Sequence, residues 1–241
     1  MFESLREAKK LAYRRLKYWL RKPKPPADPG LAGSHVVIVG SAPVSHKPEG
    51  FDDTYKVISI NGSQGVMAAW PRETPDITLM QFNQIEGENT NAVEVRRVLR
   101  GRRTGTLYVL LWRHGRERLE KGLKAFDYRY GDLRIVDRYE RIALMEKVSN
   151  VRNFELDAET KCSNGLIGVL FALHSGARAV IITGINPDSG GHVYNDVNLA
   201  RMHVSKDKEM LQILLRGGYL VFTADPDVSK STGVPLWTGK A

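Results

Sequence analysis

The chain has 241 residues, 42% hydrophobic and 26% charged, a profile that excludes disordered and fibrous proteins. That length suits one α/β domain with a short appendage better than two domains. A single cysteine, Cys162, cannot close an internal disulfide, which excludes a stapled scaffold and points to a reducing compartment such as the cytoplasm.

The formal charge of +9 is unevenly placed. Residues 1–24 hold nine Lys and Arg against Glu3 and Glu7, which leaves only +2 for everything after them. A nearly neutral body without aromatic residues interleaved among basic ones argues against nucleic acid as a partner. No run approaches the roughly eighteen apolar residues that cross a bilayer, and charge stands where a signal peptide carries its apolar region, so neither a spanning segment nor a leader is expected.

Residues 1–22 predict a basic amphipathic helix. Phe2, Leu5, Ala8, Ala12, Leu16 and Trp19 recur at spacings of three and four on one face, with Lys and Arg around them. Tyr18 and Trp19 suit a headgroup boundary, and each cation near anionic lipid contributes about 1 kcal/mol. The expectation is a helix lying on an anionic membrane surface, peripheral on the inner face of the plasma membrane. The alternative is a helix packed on its own domain or on a partner. Residues 23–34, proline-rich from Pro23 to Pro29, cannot continue that helix and read as a semi-rigid spacer.

Residues 35–241 form the domain. His35-Val-Val-Ile-Val-Gly40 is a continuous apolar run ending in glycine, the pattern of a buried parallel strand and a tight turn. Further strands are predicted at Lys56–Ile60, Asp76–Met80, Leu107–Leu111, Leu133–Val136, Ala179–Thr183 and Tyr219–Thr223. Helices are predicted at about 90–100, 115–125, 138–148, 164–175 and 205–216. The alternation implies a single doubly wound, mostly parallel sheet of Rossmann-like type, with ligand chemistry in the loops after the strands.

Those loops supply the candidate residues. Gly40-Ser41-Ala42-Pro43 combines close backbone approach with a hydroxyl; it is neither GxGxxG nor a P-loop, and a plain structural turn explains it equally. Asn61 and Asn83 end the next strands with amide groups suited to a base or sugar, or simply to a turn. Lys161-Cys-Ser-Asn-Gly165 precedes an apolar helix that Ser163 or Asn164 can cap. Its free amides and dipole make an anion site to which Lys161 adds a full charge; the bland alternative is a well-capped core helix. Gly184 to Tyr194 is a glycine-rich loop, containing Asn186, of the kind that closes over substrates. His203 precedes a helix that Ser205 could cap, where the dipole favours the neutral, proton-accepting imidazole. No His/Cys/Asp/Glu set has metal-ligand spacing and no nucleophile elbow is present, so neither a metal cofactor nor Ser-hydrolase chemistry is expected.

Taken together and in order, these segments resemble the bacterial CMP-sialic acid-dependent sialyltransferases of glycosyltransferase family 42, with a fainter likeness to the animal-type sialyltransferase motifs of family 29. Val36–Pro43 is similar to that family's first strand and Gly-Asn-Gly-Pro-Ser turn. Asn61 and Asn83 fall where its donor-binding asparagines do, and Lys161–Gly165 where it sets an Arg and Thr-Ser-Gly against CMP. Gly184 to Tyr194 keeps the spacing to a catalytic tyrosine, and His203-Val-Ser-Lys-Asp is similar to the segment with the general base. The resemblance implies a sialyltransferase-type variant of the GT-A fold that moves a nonulosonic sugar from a CMP-sugar to a surface-glycan or lipid-linked acceptor with inversion and without a metal. It implies His203 as base, Tyr194 and Lys161 as phosphate stabilisers, and Gly40, Ser41, Ala42, Asn61, Asn83, Ser163, Asn164, Gly165 and Asn186 as the donor site. Three positions depart from the family: Ser41 replaces an asparagine, Lys161 an arginine, and Asp188 a second tyrosine. Only eight residues separate Tyr194 from His203, fewer than the family's lid holds. CMP-Kdo is therefore an alternative donor, and a non-catalytic membrane-associated nucleotide-binding module is the alternative class.

Overall fold

The computed structural model describes residues 2–157, 160–194 and 203–240. Seven strands, β1 (His35–Val39), β2 (Lys56–Ile60), β3 (Ile77–Gln81), β4 (Arg103–Leu110), β5 (Arg129–Val136), β6 (Ala179–Thr183) and β7 (Val221–Thr223), form one sheet in the order β5-β4-β3-β2-β1-β6-β7. Every pairing is parallel. The β-branched runs explain the centre: Val36 to Val39 and all of β6 are buried, as strands covered on both faces must be. β4 and β5 each begin four residues before the apolar stretch that predicts them, because their first halves are partly exposed and carry no continuous apolar run.

The helices are α1 (Phe2–Arg21), α2 (Asn83–Glu86), α3 (Thr90–Leu99), α4 (Arg116–Ala125), α5 (Arg138–Ser149), α6 (Asn164–His174), α7 (Val204–Arg216) and α8 (Pro226–Thr232). α6 packs tightest on the sheet. A Cβ on Gly168 would come within 3.1 Å of both Ile38 and Ile60, so glycine lets the helix sit down on β1 and β2. Strand order reverses at β1, with β2 on one side and β6 on the other, and the crevice beyond the strand ends at such a switch point is where these folds bind ligands.

α1 docks on the domain. Leu11 and Tyr18 pack against Tyr139, Ile142 and Phe154, and Tyr18 donates to Glu146 at 2.7 Å. Arg14 donates to the carbonyls of Phe154 and Glu155, Lys10 to that of Leu156, and Arg21 pairs with Asp137 at 2.5 Å. The stripe seen in the sequence lies elsewhere: Leu5, Ala8, Ala12, Leu16 and Trp19 are exposed. Among the described residues no helix is long and apolar enough to cross a membrane. The predicted spacer is corrected in its second half. Leu31 is buried in the core, Asp28 N donates to Ser175 Oγ, and Tyr108 donates to Asp28, so Pro29–Leu31 forms a short 3-10 turn bound to the domain.

Candidate active site

The ends of β1, β2, β3 and β6 surround a cavity of about 700 Å³, within the range of small-molecule sites. Nine of the twelve predicted site residues line it: Gly40, Ser41, Asn61, Asn83, Lys161, Ser163, Asn164, Gly165 and His203.

The turn after β1 is fixed by contact with the turn after β6. A Cβ on Gly40 would stand 2.3 Å from the carbonyl oxygen of Gly184, which itself takes φ +62°, and Ala42 N donates to that same oxygen. Beneath them Asp225, buried, accepts from Gly184 N at 2.7 Å, from Thr183 Oγ1 at 3.1 Å and from His46 N at 2.8 Å. Ser41 Oγ lies 2.7 Å from His192 Nδ1, and Val193 N donates to Ser41 O, so the glycine-rich loop folds back over the first turn. Asn61 is held in the left-handed region at φ +51°, which asparagine tolerates, and its Oδ1 accepts from Gln81 N.

The opposite wall is the head of α6. Ser163 caps it, accepting from Leu166 N, and its own amide donates to Asp207 at 2.8 Å. Among the described residues the amides of Asn164 and Gly165 donate to nothing, and both residues line the cavity. Burial, and then the facing Arg138, Arg141 and Arg14, hold Lys161 below the usual lysine value against the pull of Glu155. Arg141, buried in α5, donates to Asn164 Oδ1, to Cys162 O and to the buried carboxylate of Glu155 at 2.7 Å. It fixes the segment that leads into α6. Burial pushes the Cys162 thiol up to about 12, which keeps it protonated and unreactive.

Three residues that line this cavity each carry a buried polar atom without a partner among the described residues: Gln81 Oε1, Asn91 Oδ1 and His203 Nδ1. Buried polar atoms are nearly always paired, so these mark where a polar ligand would bond. His203 is the N-cap of α7, which starts at Val204 without a side-chain cap, so the predicted cap at Ser205 is corrected. Three predicted residues do not line the cavity. Ala42 is buried behind the turn, Asn186 closes its own loop by accepting from Asp188 N, and Tyr194 packs against Gly62 with its ring stacked on His192 at 5.3 Å. The predicted lid, residues 195–202, lies outside the described residues.

Sequence reasoning missed Gln81, Asn89, Thr90, Asn91, Arg141 and Asp207, and gave the histidine of the glycine-rich loop, His192, no role; all of them line the cavity. Arg141 did leave a signal: it shares a helical stripe with Leu144, Met145 and Val148, where a cation is out of place unless paired.

A single parallel seven-stranded sheet with a cavity at its switch point is a doubly wound, Rossmann-like α/β fold. Among solved structures the chain is similar to the monofunctional α-2,3-sialyltransferase Cst-I from Campylobacter jejuni, with 14% identity, TM-score 0.56, and coverage of 86% of this chain and 81% of that one. It is likewise similar to the sialyltransferase CstII from Campylobacter jejuni in complex with cytidine-5'-monophosphate, with 12% identity, TM-score 0.54, and coverage of 86% and 87%. A CstII structure holding a trisaccharide acceptor and CMP aligns at 10% identity and TM-score 0.55, over 86% and 89%. No protein-family model and no curated protein matches the sequence. At these identities the likeness establishes the fold.

Proposed function

We propose that this chain is a CMP-sugar-dependent glycosyltransferase, moving a nonulosonic sugar (sialic acid, or Kdo as the alternative) to a hydroxyl of a surface-glycan or lipid-linked acceptor with inversion. One observation carries the reading: Asn164 and Gly165 at the head of α6, whose amides donate to nothing among the described residues, line with Lys161 the same cavity as His203. The fold shared with sialyltransferases crystallised with CMP and with a trisaccharide acceptor supports it.

On this reading the cytidylate phosphate lies against the head of α6, with the nucleoside toward Gly40, Ser41, Asn61 and Asn83. The acceptor oxygen bonds to the anomeric carbon as the bond from that carbon to the phosphate oxygen breaks. The hydroxyl proton passes to the His203 imidazole, and the electron pair leaves with CMP. Charge then gathers on the phosphate, where two amides, the helix dipole and Lys161 meet it without reorganising. Tyr194, outside the cavity, is a positioning residue whose ring stacks on His192 beside Ser41. No metal is assigned to the step.

In the same proposal α1 lies on an anionic membrane at the cytoplasmic face. What supports this is the uncovered stripe: Leu16 is 57% and Trp19 68% exposed, and Lys9 and Arg15 flank the face. Such attachment would hold the cavity near a lipid-linked acceptor.

The test measures CMP release from a panel of CMP-sugars alongside thermal stabilisation by CMP. His203→Ala should lower turnover by about 10²–10⁴-fold, the usual worth of a general base, with CMP stabilisation kept. Undiminished turnover removes His203 from the role. Stabilisation by CMP with no turnover of any CMP-sugar leaves a nucleotide-binding module instead.

A further inference from the structure

Beyond the ends of β4 and β5, next to the cavity just described, lies a second cleft of about 410 Å³ between α1, the segment after β4 and the head of α5. Leu111 lines both spaces. It holds φ +63°, a backbone state that a branched side chain rarely adopts, and such strain persists where the surroundings over-determine a position.

The cleft is crowded with positive charge. Arg14, Lys17, Arg21, Arg113 and Arg138 face it against one carboxylate, Asp137, an excess of four. Asp137 is already engaged by Arg21 and by the amides of Tyr139 and Glu140, whose own carboxylate bonds back to the Asp137 amide. Glu155, buried beneath, is claimed by Arg141. Lys17 donates to Tyr13 and Arg14 to two carbonyls, yet Arg113 and Arg138 have no hydrogen bond or ion pair among the described residues. Burial, and then Arg113 and Arg141, hold Arg138 below the usual arginine value against the pull of Glu155; burial and then Arg138 do the same to Arg14, again against Glu155.

Crowded like charges cost free energy that an anionic ligand recovers, and planar guanidinium forks match phosphate oxygens two at a time. A single carboxylate would offset only a quarter of the excess. We infer that this cleft binds the acceptor through phosphate groups carried on it, while the reacting hydroxyl reaches past Leu111 into the donor cavity. The inference rests on the transferase reading for the word acceptor, and on the cleft alone for the phosphate.

Calorimetric titration of the full chain decides it, with inorganic pyrophosphate as the probe and CMP present at saturation so that the head of α6 is occupied. The intact protein binds pyrophosphate, and the Arg113→Gln/Arg138→Gln variant binds it at least tenfold more weakly, a larger loss than it shows toward CMP. Arg113→Gln alone, at an exposed position with no bonds to lose, gives an intermediate loss and serves if the double variant folds poorly. Glucose 6-phosphate binds where glucose does not. Equal pyrophosphate affinity in intact and variant proteins overturns the inference. So does binding to phosphatidic acid vesicles with none to any soluble phosphate, which would give these cations to the membrane. Absence of CMP binding would sink the transferase reading separately, and pyrophosphate titration without CMP would still decide the cleft.

Discussion

α6 and α1 are both regular helices beside the same site, and they are held by opposite means. α6 is buried from Gly165 to Ala172, so apolar packing against the sheet fixes its position. α1 has no fully buried residue among those described, and is held by two side chains, Leu11 and Tyr18, and by the polar bonds of Lys10, Arg14, Tyr18 and Arg21. Exposed ion pairs contribute about 0–1 kcal/mol each and are screened by salt. The head of α6 is thus preorganised, which electrostatic catalysis requires, while α1 is attached weakly enough to answer to its surroundings. The two meet through one chain of contacts: Arg14 holds the carbonyls of Phe154 and Glu155, Glu155 holds Arg141, and Arg141 holds Asn164.

Breaking the α6 side of this contrast should have the largest effect. Arg141→Ala leaves the Glu155 carboxylate buried without its cation and frees the segment before α6, so chemical denaturation should register a loss of about 3–5 kcal/mol. A loss under about 1 kcal/mol would mean that water or Lys161 replaces the guanidinium, and that the head of α6 is not held as described. Gly40→Ala comes next. Its Cβ would meet backbone rather than a flexible side chain, so the two turns must part, at a cost of about 1–3 kcal/mol and with CMP stabilisation lost. CMP binding unchanged in that variant would separate the turn from the donor site.

The contrast also explains what could be read in advance. The central strands were legible because β-branched runs buried on both faces, flanked by turn residues, read as parallel strands, and the missed halves of β4 and β5 are partly exposed and carry no such run. Much of the cavity was legible only because glycine, asparagine and a lysine-led capped helix follow strands in the right order; each alone reads equally well as a turn or a capped core helix, and it is their convergence on one set of strand ends that singles them out. Arg141 was not, since a cation mid-helix is ordinarily solvent-facing and its partner Glu155 is fourteen residues away in a loop. Asn89, Thr90 and Asn91 carried no strand-end signal, since they open the helix predicted at about 90–100, which Asn89 caps. For α1, periodicity found a real apolar stripe but not the docked face, because that face is built largely from polar bonds, and an apolar count does not weigh them.

The smallest expected effect on stability sharpens the comparison most. Removing residues 1–22 would be ambiguous, because it also withdraws Arg14 from the loop that carries Glu155 and so disturbs α6. Leu16→Glu with Trp19→Glu alters only the outward stripe, and exposed substitutions of this kind usually change stability by less than about 0.5 kcal/mol. If that stripe is the membrane contact, losing two apolar anchors, each worth at least about 1.5 kcal/mol when buried, should weaken binding to anionic vesicles by more than about tenfold. Thermal stability and CMP binding should be untouched, since neither side chain is among those that dock α1. Vesicle binding unchanged by the double substitution, and lost only on adding salt, would mean that the cations alone hold the membrane and that the outward stripe serves another partner.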